Sequence, residues 1–193
     1  MPFDRNDDAG VVASTYPFVA ERHTIGVLDD GTILTLAPMT ETAAATLAPA
    51  IAAIGPWAHY HFDADRMRAS LLVTGDGAIR YQLLAEDVPS GVIIIRSPWL
   101  SGPYLQILAV LPTLQGKGAG ARVLKWYEDT AMAARIRNVW LCVSGFNLDA
   151  QRFYQRFGYT LVGHLHDLMR DGDDELLMRK NLAGLVIDTP AAT

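Results

Sequence analysis

The hydrophobic pattern of the chain alternates between short apolar runs of strand length and longer amphipathic segments. Four runs in the first part of the chain read as strands, at residues 32–39, 78–85, 91–96 and 104–111. The connections between the last three runs are short and rich in Pro, Gly and Ser. We therefore expect these three strands to be antiparallel neighbours.

Two helices are predicted between the first strand and the second. One follows Thr40, which has the side chain of an N-cap, and runs through alanine-rich sequence to Gly55. Pro49 lies inside that segment and is expected to kink or split the helix. The other helix begins at Asp63 and ends before the glycine turn at residues 75–77.

The second half of the chain alternates helix and strand and then closes with a hairpin. Helical periodicity covers residues 118–135 and 148–157, with a strand at residues 138–143 between them. Residues 159–169 and 174–182 are expected to pair through a turn at "RDGDD". This order predicts a mixed α/β fold of the α+β type, with helices flanking one central, mostly antiparallel sheet.

The pattern fits one folded domain with less regular ends. The chain has 193 residues, half of them hydrophobic, which is enough for one full-sized core. We expect residues 26–182 to form that domain and residues 183–193 to form a flexible tail. Residues 1–25 lack sustained periodicity and are expected to form an extension, packed loosely or against a partner, although "TYPFVA" also resembles a strand.

Charge and composition exclude several classes of partner. The net charge is −5 without any basic tract, which argues against nucleic acid and is compatible with a cationic substrate. The apolar runs are much shorter than the roughly 20 residues of a membrane span. The acidic N-terminus does not resemble a secretory signal, so a cytoplasmic location is expected. The single cysteine, Cys142, lies in an apolar strand and is expected to be an inert core residue.

A cluster of glycines separates the strand at residues 104–111 from the helix that follows. Gly116, Gly118 and Gly120 stand where backbone amides at a helix N-terminus attract anions, and a phosphate group is the leading candidate. Lys117 and Arg122 either add cationic contacts or are solvated surface charges. The alternative interpretation of the glycines is a plain tight turn.

Two common phosphate-binding motifs fit these letters poorly. A P-loop requires Ser or Thr after its lysine, whereas Lys117 is followed by Gly118. The letters also satisfy GxGxxA, the dinucleotide fingerprint, through Gly116, Gly118 and Ala121. The next strand, however, offers no acidic residue for a ribose. A nucleotide-dependent oxidoreductase therefore remains only a minor alternative.

A third pattern is supported by a second motif downstream. Gln115, Gly118 and Gly120 spell QxxGxG at the start of a helix, which resembles the pyrophosphate loop of the GNAT superfamily of acyl-CoA N-acyltransferases. The resemblance is strongest over residues 104–162 and extends over 32–182. The second motif of that family, on the short helix, is matched by Asn147, Ala150, Tyr154, Gly158 and Tyr159.

The resemblance implies acetyl-CoA as the co-substrate, no metal, and direct acetyl transfer to a primary amine in a ternary complex. In this family the strand corresponding to 104–111 carries a bulge and splays from the next strand. Tyr154 corresponds to the residue that protonates the departing thiolate, which suits a phenol of pKa near 10. The implied cofactor-binding residues are Leu108, Val110, Gln115, Gly116, Lys117, Gly118, Ala119, Gly120, Asn147 and Tyr154. A noncatalytic acyl-CoA sensor with the same fold is the alternative.

The general base and the acceptor are not identified by the sequence. The acceptor is expected to be a small-molecule or peptide amine, in a pocket near Trp57, His59, Tyr60 and His61, and a homodimer is compatible with such a fold. His164 and His166 share one face of a strand but have no third ligand, so zinc is rejected. The candidate bases are His59, His61, Glu86, Ser144, His164 and His166.

Overall fold

A computed structural model of the chain describes residues 17–183. Within them eight strands form one sheet in the order β1-β2-β3-β4-β5-β6-β8-β7. Every neighbouring pair is antiparallel except β5 and β6, which are parallel. The strands are β1 His23–Val27, β2 Ile33–Pro38, β3 Ala78–Ala85, β4 Val88–Trp99, β5 Gly102–Val110, β6 Asn138–Ser144, β7 Thr160–Arg170 and β8 Asp173–Asn181. The predicted mixed, mostly antiparallel sheet is thus confirmed.

Four helices flank the sheet, and their first residues follow capping rules. The Thr40 hydroxyl accepts a hydrogen bond from the amide of Ala43, and the Asp63 carboxylate accepts one from Arg66. Asn147 caps the last helix in the same way. The helices are α1 Glu41–Ala52, α2 Ala64–Leu72, α3 Ala119–Ala133 and α4 Leu148–Arg156, with a 3₁₀ turn at Pro112–Leu114.

The helices pack on opposite faces of the sheet and bury two separate hydrophobic clusters. Helices α1 and α2 cover Val92, Ile94 and Ala109, and we call this side the α1–α2 face. On the other side, the α3–α4 face, α3 and α4 cover a larger cluster that includes Leu105 and Leu141. The central strands β4 and β5 therefore carry apolar side chains on both faces, which explains their nearly continuous apolar runs.

A bulge in β5 changes which residues face each side. Ile94 pairs with Ile107 and Ile95 pairs with Leu105, so Gln106 is an extra residue without a partner on β4. Because of this extra residue, Leu105 and Leu108 both pack on the α3–α4 face, although they are three positions apart. Beyond the bulge β5 also leaves β6: the two strands pair only at Tyr104–Trp140 and Leu105–Leu141.

Three details differ from the sequence-based expectations. Helix α1 runs unbroken through Pro49, so the predicted split is wrong; Leu47, Ala48 and Ile51 on both sides of the proline are buried and hold the helix together. Strand β1 was not predicted. Strand β4 is longer than the predicted run at both ends, because its pairing with β3 begins directly after a tight turn at Glu86 and Asp87.

Part of the N-terminal extension belongs to the core. Phe18 is only 2% exposed, and its ring lies 5.6 Å from Trp126 and 5.4 Å from Tyr127 between ring centroids. Residues 17–20 form no strand, and the first two residues of "TYPFVA" lie outside the described part of the chain, as does the tail beyond Ala183. The expectation of loose packing is therefore wrong for the segment around Phe18, because the Phe18 ring packs against two other aromatic rings.

Candidate active site

The second half of β5 presents free backbone groups to the gap that separates it from β6. The amide of Leu111 donates to the carbonyl of Ser90 on the β4 side, at 2.9 Å. Backbone groups alternate in direction along a strand, so the amides of Leu108 and Val110 point the other way, into the gap. The Val110 carbonyl accepts a hydrogen bond from Gln115 Nε2 at 2.9 Å. Leu108 and Val110, to which the family resemblance assigned cofactor contacts, thus border the gap between β5 and β6.

The glycine turn leaves a group of amides free at the start of α3. The amides of Gln115 and Lys117 are used within the turn, at 3.3 Å from the carbonyls of Pro112 and Leu114. Such unpaired donors, with the helix dipole behind them, form an anion-binding site. Nowhere in residues 17–183 is there an acceptor for the amides of Gly116, Gly118, Ala119, Gly120 and Ala121.

Two of the glycines are required by the conformation of the turn. Gly116 has φ of 75° and Gly118, the N-cap of α3, has φ of 86°. Both angles are in the left-handed region that glycine adopts without strain. A Cβ atom on either residue would meet nothing within 4 Å, so the surface above the turn is open.

The polar side chains of the turn are engaged elsewhere. The Gln115 side chain is tied to β5, as described above, so its contribution to the site is to hold the turn against the strand. Lys117 Nζ is 3.9 Å from the Asp30 carboxylate and is half exposed. Arg122 lies over the backbone of Gly26 in β1. The free amides of this turn are therefore its anion-binding groups that do not depend on a side chain.

Helix α4 brings Tyr154 to the α3–α4 side of the gap. Tyr154 is 9% exposed, and its hydroxyl makes no hydrogen bond to the residues that the structure describes. Burial raises the pKa of Tyr154 above its ordinary value of 10, so the phenol is protonated at neutral pH. The Asn147 side chain is occupied as the cap of α4, with Oδ1 3.1 Å from the Ala150 amide.

A cleft of about 440 Å³ lies at the gap and is lined by residues from both faces of the sheet. Its floor is formed by β5 from Tyr104 to Leu108 and by the end of β6, and Tyr154 borders it. The loop between α1 and α2 contributes Trp57 and Tyr60, and β7 contributes two apolar side chains near its end. The cleft therefore joins the free strand edge to an aromatic chamber large enough for a small organic group.

One acidic residue in this cleft was missed by the sequence analysis. Glu175 on β8 pairs with Ser144 on β6, and both are buried at the mouth of the gap. Glu175 Oε1 accepts a hydrogen bond of 2.6 Å from the Tyr60 hydroxyl. Burial, and then this carboxylate, raise the pKa of Tyr60 to about 12. In the sequence, an acidic residue directly before the apolar run "LLM" of a predicted strand was the pattern that could have indicated this buried carboxylate.

The candidate bases from the sequence separate into one inside the cleft and five outside it. Ser144 borders the cleft. His59 lies beside it: its ring centroid is 4.0 Å from that of Phe146 in a tilted arrangement, and its Nε2 is 2.8 Å from the Asp173 carboxylate. Glu86 accepts a hydrogen bond from the Ile33 amide at 2.5 Å in a hairpin turn. The remaining candidates, His61, His164 and His166, do not border the cleft.

The two histidines of β7 share one carboxylate. His164 and His166 lie 3.3 Å and 2.8 Å from the oxygens of Asp174. In the part of the chain from Pro17 to Ala183, no three His, Cys, Asp or Glu side chains come together as a metal site. Over the same residues, no helix is both long enough and apolar enough to span a bilayer.

A sheet splayed beside an anion-binding helix N-terminus is the arrangement that the sequence resemblance implied for an acyltransferase. The model of the Acetyltransferase (GNAT) family matches residues 43–159, which is more than half of the chain. The protein therefore belongs to the GNAT acetyltransferase family. No curated protein gives a significant sequence match to the chain.

Solved structures with low sequence identity share the fold. An acetyltransferase from Thermus thermophilus is 20% identical, with a TM-score of 0.62, covering 83% of this chain and all of that one. Arabidopsis thaliana Naa50, solved with the bisubstrate analogue CoA-Ac-MVNAL, is 21% identical with a TM-score of 0.58, covering 76% and 97%. An aminoglycoside 6'-N-acetyltransferase complexed with coenzyme A is 14% identical with a TM-score of 0.57, covering 80% and 98%.

Proposed function

We propose that this protein transfers the acetyl group of acetyl-CoA to a primary amine, by direct attack in a ternary complex. The observation that carries the proposal is the gap between β5 and β6, which combines free strand amides, a free amide cluster at a helix N-terminus and the Tyr154 phenol. Solved proteins of the same fold bind CoA or a CoA conjugate, and family membership agrees with acetyl transfer.

The free amides divide into two groups suited to the two ends of a CoA thioester. The five amides around Gly118 suit the diphosphate, because they carry partial positive charge and have no acceptor among the described residues. The amides of Val110 and Leu108 suit the thioester carbonyl, whose oxygen gains negative charge during attack. When bound, acetyl-CoA supplies the activated acetyl group.

Tyr154 is the proposed proton donor to the departing sulfur. Its hydroxyl has no partner among the described residues, so the proton is not committed to another acceptor. Burial raises the pKa of Tyr154, and the same desolvation would raise the proton affinity of a thiolate released beside it. The proton transfer therefore remains favourable within the cleft, although the phenol is a weaker acid than in water.

The acceptor must lose a proton before it attacks. An amine that titrates like lysine, near 10.4, requires roughly 4 to 5 kcal/mol to reach its neutral form at pH 7. A base on the acceptor side of the gap would lower this cost. The aromatic chamber on the α1–α2 face is the proposed acceptor site, because it is the part of the cleft that the diphosphate and thioester contacts leave free.

Calorimetric titration with acetyl-CoA and a thiol-release assay with a panel of primary amines test the proposal. Micromolar binding together with amine-dependent thiol release is expected. Binding without thiol release for any amine would instead support a noncatalytic acyl-CoA sensor. No binding at millimolar acetyl-CoA would refute the proposal. A parallel titration with NADH checks the oxidoreductase alternative, and no binding is expected there.

A further inference from the structure

Two glutamates are buried in this fold, and only one of them has a cation beside it. Glu128 on α3 is 6% exposed, and Lys180 Nζ lies 2.6 Å from its carboxylate. Glu175 is 7% exposed, but within residues 17–183 no Lys, Arg or His nitrogen lies within 4 Å of it. Its Oε1 accepts from Tyr60, whereas Oε2 has no donor in the described part of the chain.

A buried carboxylate without a cation is unfavourable, and proteins normally pair or solvate such a group. Arg96 lines the cleft and Arg170 is at the end of β7, but each is paired with another carboxylate. Arg96 is 3.0 Å from Asp76 and also contacts Gln106. Arg170 is 3.8 Å from Asp173. The arrangement therefore leaves one negative charge at the mouth of the cleft that a cationic ligand would compensate.

Glu175 lies on the opposite side of the gap from Tyr154. Its partner across the β6–β8 ladder is Ser144, one of the cleft residues, and it is reached by Tyr60 from the loop between α1 and α2. Tyr154 instead belongs to the cluster on the α3–α4 face. A thioester held in the gap would therefore have a proton donor on one side and a carboxylate on the other.

Resting on the proposed function, we propose that Glu175, held by Tyr60, binds the ammonium group of the acceptor and removes the proton that blocks attack. The amine nitrogen then forms a bond to the acetyl carbon while the bond from that carbon to sulfur breaks. The nitrogen loses two protons in all. One leaves through Glu175 to solvent. The other leaves the nitrogen as the bond from carbon to sulfur breaks and, through exchange with solvent, restores to Tyr154 the proton that the phenol gives to the thiolate.

The walls of this subsite indicate the class of acceptor. Trp57, Phe62, Trp99 and Tyr104 line the same cleft as Glu175 together with aliphatic side chains, so the group attached to the amine meets mostly apolar surface that includes aromatic rings. Aromatic faces attract both apolar groups and ammonium cations. The acceptor is therefore a primary ammonium on an apolar or aromatic body, without a carboxylate next to the amine, since that group would be repelled by Glu175.

A matched pair of probes tests the acceptor class. 2-Phenylethylamine and phenylalanine differ only in the carboxylate beside the amine, and both are assayed for thiol release from acetyl-CoA. We expect kcat/KM for 2-phenylethylamine to exceed that for phenylalanine by at least about tenfold. Equal values, or a preference for phenylalanine, would overturn the assignment of the acceptor class.

Two variants test the role of the carboxylate. Glu175→Gln should lower kcat by about 10²-fold or more and raise the KM of the amine, with the KM of acetyl-CoA unchanged. Glu175→Asp should restore part of kcat. Asp149→Asn, which removes an exposed carboxylate on α4, is the control and should match the wild type. A Glu175→Gln enzyme with wild-type kcat and amine KM would overturn the proposal.

Calorimetry separates failure of this inference from failure of the proposed function. Binding of 2-phenylethylammonium to the protein without CoA should weaken at least tenfold in Glu175→Gln and measurably in Tyr60→Phe, whether or not the protein turns over. Absence of acetyl-CoA binding with this amine effect intact would refute only the transferase function. Equal amine binding by wild type and both variants would refute only the subsite. If Glu175→Gln does not fold, Tyr60→Phe decides the same question.

Discussion

Replacement of Tyr154 by phenylalanine is the most direct test of the chemistry, because it removes one oxygen and changes little else. The Tyr154 hydroxyl has no hydrogen bond to the described residues, so its loss leaves no stranded donor or acceptor. The ring keeps its packing against Phe153 and Tyr159. The free energy of unfolding should therefore change by less than about 0.5 kcal/mol.

The catalytic effect should be much larger. A positioned general acid typically contributes about 10²- to 10⁴-fold, so kcat should fall by that factor, or about 2.7 to 5.4 kcal/mol in activation free energy. The KM for acetyl-CoA should change less than tenfold, because sulfur is a weak acceptor and the amides around Gly118 are untouched. Thiol release measured against both substrates gives the two parameters.

Tyr81→Phe is a control with the opposite expectation. The Tyr81 hydroxyl donates to the Val19 carbonyl at 2.6 Å, away from the cleft. Its removal should cost about 1 kcal/mol of stability, measured by urea unfolding, and leave kcat unchanged. If Tyr154→Phe kept wild-type turnover, or if the two variants lost turnover equally, the assignment of Tyr154 as the acid would be wrong.

Three further predictions concern the loop, the core and the sheet. Gly118→Ala places a Cβ atom on a residue with φ of 86°, so the free energy of unfolding should fall by about 1 to 2 kcal/mol. Calorimetry should also show weaker acetyl-CoA binding. An unchanged affinity would mean that this turn does not bind the cofactor. Phe18→Ala should cost about 3 to 5 kcal/mol in urea unfolding, and a loss below 1 would contradict its burial. Hydrogen bonds from Arg80, and also from Arg96, hold the pKa of Asp76 well below 3.8. A carboxyl group whose pKa is lower in the folded than in the unfolded chain stabilises the fold at pH values above its unfolded pKa. Asp76→Asn should therefore have a smaller free energy of unfolding than wild type at pH 6, and this difference should shrink as the pH falls below 3.8. A difference that did not change with pH would refute this.

The predictions that depend on local sequence are the ones that the structure confirms. The strand at 78–85, the Thr40 cap, the helix that begins at Asp63 and the closing hairpin follow from side chains adjacent in sequence, and each has its expected place. The glycine turn before α3 is local in the same sense. Backbone conformation there is determined by Gly116 and Gly118, whatever the rest of the chain does.

Features that depend on contacts between distant segments of the chain could not be derived from the amino-acid sequence. The bulge at Gln106 is a matter of register between β4 and β5, and only the family resemblance suggested it. Glu175 is buried against Tyr60, which donates a hydrogen bond to it and lies more than a hundred positions earlier in the chain. Phe18 looked like part of a loose extension, because its aromatic partners lie on α3. In each case the contact that determines the feature joins segments far apart in the sequence, and no local periodicity indicates such a contact.

The gap between β5 and β6 is a permanent feature of the sheet, since each strand is held by its outer neighbour. β5 pairs with β4 up to Val110, and β6 pairs with β8 over all seven residues from Asn138 to Ser144. Only two residue pairs join β5 to β6, so opening the rest of that edge sacrifices little pairing. The amides on the free edge of β5 are therefore fixed in direction before any ligand arrives. Donors fixed in this way stabilise a developing oxyanion without the cost of reorganisation, which is how a break in an otherwise continuous sheet becomes useful for acyl transfer.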